Sequence, residues 1–388
     1  MNNITGPPVE GDNFYGREPE IDYAWGRIST GNNLILPSPR RVGKTSFALK
    51  LLDIAKREGW DTISINLERI TSEQAFIERF VEELRKLSWW DQASTQIINF
   101  LSLFKQLKPS FKYGDVEMEL SWEENKIDIY KQLADILDHR KPTLIFFDEL
   151  TVLLNVILNA DENGKRNVSA FLHWLRSLRI VGRSRIKWIY CSSVGIENFT
   201  HQHGISDTMN DISDYRLKSF SHNESIGMLL NLGRSNNLDV TKEIAKDVVG
   251  LLDYCLPFFL QIMFDKLNYL VNIENVPIDR KISQYAYAQI ITENHFNTWI
   301  ERIENQYGYQ KKYVFALLKL TCQDKSGVSR ANLINATTAS GLDIDDAEEI
   351  VRKLIYMLKN DGYLVEDNGL YRFRSPLLRD FWFERFVR

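Results

Sequence analysis

Apolar positions along the chain repeat at two spacings, and the places where one gives way to the other mark its elements. A turn over 13–17 is followed by an amphipathic stretch through Ile28, and Leu34-Ile35-Leu36 is an apolar run of strand type. Over 44–57, Phe47, Leu51, Leu52 and Ala55 share one helical face, and Gly59 ends the helix. Residues 62–67 alternate as a strand does. A second helix is predicted over 72–87, N-capped by Thr71 or Ser72. The Trp-rich stretch beyond it is less regular, with a hairpin over 111–120 turning near Gly114-Asp115. Trp89, Trp90 and Trp122 are read as packing this insertion on the core. A helix over 124–139 precedes the apolar strand of 142–150. Another helix covers 167–180, with Phe171, Leu172, Leu175 and Leu178 on one face, and a strand over 186–195 ends in hydroxyls. The pattern over 221–272 is all-helical, and Pro257 suits a first helical position, where its missing N–H is no loss.

The last part has a different rhythm. Helices are predicted over 311–322, 329–336 and 343–360, followed by a two-stranded wing over 362–373 with a Gly turn, the order of a winged helix. The chain therefore divides into an α/β domain over 1–220, a helical lid over 221–300 and a winged-helix domain over 301–388. A length of 388 residues suits two or three domains, and 44% hydrophobic with 26% charged residues suits a globular protein.

A formal net charge of −4 gives no global attraction to nucleic acid or to an anionic membrane. Cys191, Cys255 and Cys322 lie far apart without a C-x-x-C spacing, which fits buried thiols in a reducing cytosol and neither a disulfide framework nor a zinc site. The N-terminal leader lacks a basic start and an apolar core, and the apolar run 251–264 is short and broken by Asp253. Neither export nor a membrane span is expected, and the expected location is cytoplasmic.

Chemistry is concentrated at two strand ends. The run Leu34-Ile35-Leu36 leads through Pro37-Ser38-Pro39-Arg40-Arg41-Val42 into Gly43-Lys44-Thr45-Ser46, and reads as a phosphate-binding loop. In such a loop, backbone N–H groups and the following helix dipole cradle phosphates. Gly43 lets the backbone approach, the Lys44 ammonium reaches the phosphates, and the Thr45 hydroxyl can ligate Mg²⁺. Ser38 stands where the pattern has its first glycine, whose conformation serine adopts less readily. The strand of 142–150 ends in Asp148-Glu149, the Walker B arrangement: Asp148 can hold Mg²⁺ through water, and Glu149 can orient and deprotonate an attacking water.

Other residues carry two readings each. Ser192 or Ser193 can sense a γ-phosphate or satisfy nearby backbone. Arg176, Arg179 and Arg183 can serve as arginine fingers toward a neighbouring subunit or form a solvated basic face. His201-Gln202-His203, with no nearby Cys or carboxylate cluster, is read as a mobile loop before a metal site. In the winged helix, Asp343, Asp345, Asp346, Glu348 and Glu349 open the third helix, and 310–388 holds 13 Lys/Arg against 11 Asp/Glu. Protein contact or autoinhibition is favoured there over duplex readout.

The order of these elements resembles prokaryotic and archaeal AAA-like P-loop ATPases, related to the STAND signalling ATPases and to Orc/Cdc6 initiators. Carrying the resemblance are Phe14-Tyr15-Gly16-Arg17-Glu18, the loop from Pro39 to Ser46, Phe146-Phe147-Asp148-Glu149, the strand ending Ser192-Ser193, Leu256-Pro257 and the terminal run Tyr371 to Trp382. The resemblance implies a parallel-sheet P-loop NTPase domain using ATP and Mg²⁺. It implies Gly16 and Arg17 beside the adenine and Pro257 contacting the nucleotide, with Cys255 in place of the lid motif's glycine. It further implies a nucleotide-dependent switch of defence-signalling type, a separate protein as sensor or effector, and a homo-oligomer in one nucleotide state. A DNA-loading ATPase and a nucleotide-locked scaffold are the alternatives.

Overall fold

The computed structural model describes residues 1–90, 95–106, 122–137, 141–180, 185–192 and 195–388. The hairpin expected over 111–120, Arg183 and Ser193 lie outside the described residues. In chain order the elements of the first part are α1 (Glu18–Ser29), β1 (Leu34–Leu36), α2 (Lys44–Arg57), β2 (Asp61–Asn66), α3 (Glu73–Leu84), α4 (Thr95–Gln106), α5 (Trp122–Leu137), β3 (Thr143–Asp148), α6 (Leu150–Leu158), α7 (Gly164–Ile180), β4 (Ile186–Cys191), α8 (Ile196–His203) and β5 (Ser213–Asp214). The five strands form one sheet in the order β2-β3-β4-β1-β5, every neighbouring pair parallel. Helical crossovers are what parallel pairing demands.

All six residues of β3 are buried, as expected of a central strand covered on both faces. On one face Phe147 meets Phe76 and Phe80 of α3 and Trp188 and Tyr190 of β4, with ring centroids 5.4–6.1 Å apart. Trp89 and Trp90 belong to the same core. The Ser72 side chain accepts from the Ala75 N–H, so α3 starts where its cap directs, and it stops at Leu84, short of the expected 87.

The structure departs from the sequence expectation at several places in this part. His201-Gln202-His203 does not sit in a mobile loop: it closes α8, which buried Ile196 and Phe199 anchor, with the His203 ring 4.7 Å from that of Phe199. Arg179 belongs neither to a solvated face nor to a finger. Its buried guanidinium donates to Asp211 Oδ2 (2.7 Å), Asp211 Oδ1 (2.9 Å) and the Thr208 carbonyl (2.6 Å). The apolar run after Glu149 forms α6, a helix the periodicity did not distinguish from the strand before it.

The second part continues with α9 (His222–Ser235), α10 (Lys242–Leu252), α11 (Pro257–Asn272), α12 (Ile282–Ile290), α13 (Asn297–Gln306), α14 (Lys311–Thr321), β6 (Val328–Ser329), α15 (Arg330–Thr338), α16 (Ile344–Asn360), β7 (Leu364–Asp367), β8 (Leu370–Phe373) and α17 (Pro376–Phe386). Pro257 is the first residue of α11. Strands β6, β8 and β7 form an antiparallel sheet around a core in which Trp382 touches Phe315, Tyr363, Phe373, Phe381 and Phe386. The chain separates into two compact units: residues 17–37 with 47–216, and residues 1–16 with 38–46 and 217–388. Among the described residues no helix is long and apolar enough to cross a membrane.

Candidate phosphate-binding site

Within the second of these units, the loop that follows β1 is built around its own lysine. Lys44, the first residue of α2, is buried, and its Nζ donates to the carbonyls of Ser38 (2.7 Å) and Pro39 (3.1 Å). The left-handed conformations of the loop fall at Arg41 (φ 65°) and Gly43 (φ 94°), not at Ser38. Position 38 therefore does not require glycine. Its side chain has work a glycine lacks: Ser38 Oγ accepts from the Leu217 N–H at 2.7 Å. Thr45 is half-buried in the first turn of α2, and Ser46 Oγ accepts from the Val9 N–H at 2.9 Å. Val42 is buried, holding the loop down.

The N-terminal segment and α11 meet this loop through Arg41. Its Nη1 donates to the Gly6 carbonyl (3.0 Å), and its guanidinium carbon lies 4.4 Å from the ring centroid of Phe258, the residue after Pro257. Burial, and then the neighbouring charge of Arg40, hold the Arg41 guanidinium below its ordinary value. Cys255 is buried, and its carbonyl accepts from the Phe220 N–H at 2.9 Å. Gly16 (φ 67°) lies against the Phe220 ring, which Tyr15 meets edge-on at 6.1 Å. In sequence none of these contacts was legible, because each joins positions tens to hundreds of residues apart.

The carboxylates belong to the sheet unit. Asp148 ends β3 buried, its Oδ1 accepting from the Glu149 N–H at 3.0 Å. Glu149 is half-buried and N-caps α6 with left-handed backbone, φ 57° and ψ 41°, and no side-chain cap bond. Such backbone at a non-glycine residue costs about 1–2 kcal/mol. Buried Ser192, just past β4, shares a hydrogen bond with the Thr151 hydroxyl. Arg17 takes the same left-handed form (φ 68°) at the N-cap of α1, buried, and donates to Glu20 at 3.3 Å. Because the strands run parallel with β4 between β1 and β3, the C-terminal ends of β1 and β3, the latter closing on Asp148, lie at the same side of the sheet.

This strand order and this loop define the architecture of an α/β P-loop ATPase. No protein-family profile matches the chain, and no curated protein does. Among solved structures the chain is similar to a Walker-type ATPase of Pyrococcus abyssi, at 18% identity over 98% of this chain and 99% of that one, with a TM-score of 0.65. It is also similar to the Orc2 protein of Aeropyrum pernix, solved as ADPNP–ADP complexes, at 12% identity over 97% and 98% of the two chains, with a TM-score of 0.54. Likeness at these identities shows the fold.

Proposed function

We propose that the chain binds and hydrolyses ATP with Mg²⁺, and that its nucleotide state switches the lid and the C-terminal domain and so controls assembly or a protein partner. The observation that carries the reading is the Lys44 ammonium folded into its own loop at the start of α2, where phosphate oxygens would replace the Ser38 and Pro39 carbonyls as acceptors. Loop N–H groups from Pro39 to Ser46 supply the remaining donors, with proline contributing none. Thr45 and Asp148 offer the hydroxyl and carboxylate oxygens that Mg²⁺ prefers, and one or two protein ligands suffice for that ion. When bound, Mg²⁺ would neutralise charge on the phosphates.

Glu149 is assigned the attacking water, as the base that orients it and takes its proton. A carboxylate kept in left-handed backbone at a strand end supports a role beyond packing. Gly16 and Arg17 are assigned to the base and Pro257 to the lid contact. Ser192, already bonded to Thr151, fits a positioning role, and Ser193 keeps the sensor assignment. The domains are taken as 1–220, 221–300 and 301–388, the last a winged helix formed by α14–α16 and the β7–β8 hairpin. A regulatory role of defence-signalling type follows the resemblance.

The test is purification of wild type, Lys44→Ala and Glu149→Gln, with nucleotide extraction and light scattering in ATP, ADP or neither. Lys44→Ala removes two charge-assisted bonds and is expected to weaken ATP about 100-fold. Glu149→Gln is expected to retain ATP, abolish turnover and hold one assembly state. Wild type without nucleotide affinity would overturn the proposal. Duplex loading is the second reading. Asp345, Asp346, Glu348 and Glu349 are exposed at the start of α16 and oppose it, so salt-dependent duplex binding would reverse the choice.

A further inference from the structure

Pro39 of the phosphate loop stands against the turn joining α16 to β7, within one compact unit. A Cβ placed on Gly362 would lie 2.7 Å from Pro39 Cβ and 3.2 Å from Pro39 Cγ, and Gly362 itself has φ 87°. Two independent requirements thus call for glycine there: left-handed backbone and bare contact with a proline ring. The turn is anchored on either side by buried polar bonds. Before Gly362, the Asp361 carboxylate accepts from Arg302 Nη2 (2.8 Å) and the Tyr307 hydroxyl (2.7 Å). After it, the Tyr363 hydroxyl donates to the Trp299 carbonyl (2.6 Å), and the Tyr363 N–H to that of Leu358 (2.9 Å). On its other side, Pro39 offers its carbonyl to Lys44. One residue thereby touches the C-terminal turn with its ring and the phosphate-binding lysine with its carbonyl.

We propose that Gly362 is a positioning residue for the phosphate loop, and that the Pro39–Gly362 contact is where phosphate occupancy is transmitted to the C-terminal domain. A phosphate that draws Lys44 from the Pro39 carbonyl frees that peptide to shift, and the anchored turn must follow or resist. Coupling of this kind is reciprocal: a changed turn alters nucleotide affinity, and nucleotide alters the turn. The inference rests on the nucleotide-binding reading above.

The experiment measures ADP binding by calorimetry to the full chain as wild type, Gly362→Ala and Gly369→Ala. Gly369 has φ 77° with open space around its Cα, so its alanine variant carries left-handed strain without a new contact. Gly362→Ala is expected to shift the ADP dissociation constant by roughly ten-fold. Gly369→Ala is expected to lower thermal stability and leave that constant unchanged. In a Pro39→Gly background, where ring and Cβ are gone, adding Gly362→Ala should change it by less than about two-fold. Amide exchange at Tyr363 and at Arg374, whose N–H bonds the Tyr363 carbonyl (2.8 Å), should differ between ADP-bound and free wild type. If Gly362→Ala does not fold, this exchange measurement decides.

ADP affinity of Gly362→Ala equal to wild type, an equal loss in Gly369→Ala, or exchange indifferent to ADP would each overturn the inference. Wild type that fails to bind ADP would overturn the nucleotide reading together with it. Wild type that binds while Gly362→Ala is unaffected overturns the coupling alone.

Discussion

Restoring the glycine that the phosphate-loop pattern has at its first position should harm this protein. Ser38 and Leu217 are 4% and 3% exposed, and the Leu217 N–H donates to Ser38 Oγ at 2.7 Å. Ser38→Gly leaves that donor buried without its acceptor, a loss of about 1–3 kcal/mol. Glycine at a position of ordinary backbone adds about 0.5–1 kcal/mol in unfolded-chain entropy. Ser38→Ala isolates the first effect, and the difference between the two variants isolates the second. Urea denaturation should rank wild type above Ser38→Ala above Ser38→Gly. Amide exchange at Leu217 should accelerate by roughly 5- to 150-fold in both variants, the kinetic equivalent of the lost bond. A Ser38→Gly protein as stable as wild type, or an unchanged Leu217 amide, would refute the account of why serine stands there.

Other expectations follow from single contacts. Arg179→Ala strips the Asp211 carboxylate and the Thr208 carbonyl of a buried partner and should cost about 3–5 kcal/mol in urea denaturation; a loss below about 1 kcal/mol would contradict the geometry. Glu149→Gly should raise thermal stability by about 1 kcal/mol, since glycine relaxes the left-handed backbone, and on the proposed function it should abolish hydrolysis. Asp214 has its carboxyl pushed up to about 6 by partial burial, then by the Glu197 carboxyl, against the opposing pull of Arg216. Its folded value lies above the unfolded one, so the stability it contributes is full below about pH 4 and is lost as pH rises through about 6. Melting temperatures of Asp214→Asn should lose that decline, a small one because the carboxyl is only partly buried and solvent screens it.

The elements that patterning reached are those whose own residues decide them. The helix of 44–57 has one apolar stripe and a terminating glycine, α11 begins on its proline, and α15 and α16 carry their own N-caps, Ser329 and Asp343. Patterning stopped where a distant partner decides the outcome. Arg179 is hidden only because Asp211 and Thr208 surround it, and α8 is held by apolar anchors that a histidine-rich stretch obscures. The loop residues 38–46 were legible as a loop. Their neighbours Gly6, Leu217, Phe258 and Gly362 were not, because single-chain spacing does not encode contacts made across such separations.

The division of the chain also orders its making. Residues 17–37 and 47–216 are contiguous enough for the five-stranded sheet to close while later residues are still being synthesised. The phosphate loop waits. Its hydrogen-bonding and packing neighbours at 217, 258 and 362 emerge afterwards, so the loop over 38–46 takes its final form as one of the last events of folding. A nascent or truncated chain would then display a finished sheet with an unfinished loop over 38–46, and on the proposed function nucleotide binding would report that residues 217–388 have arrived.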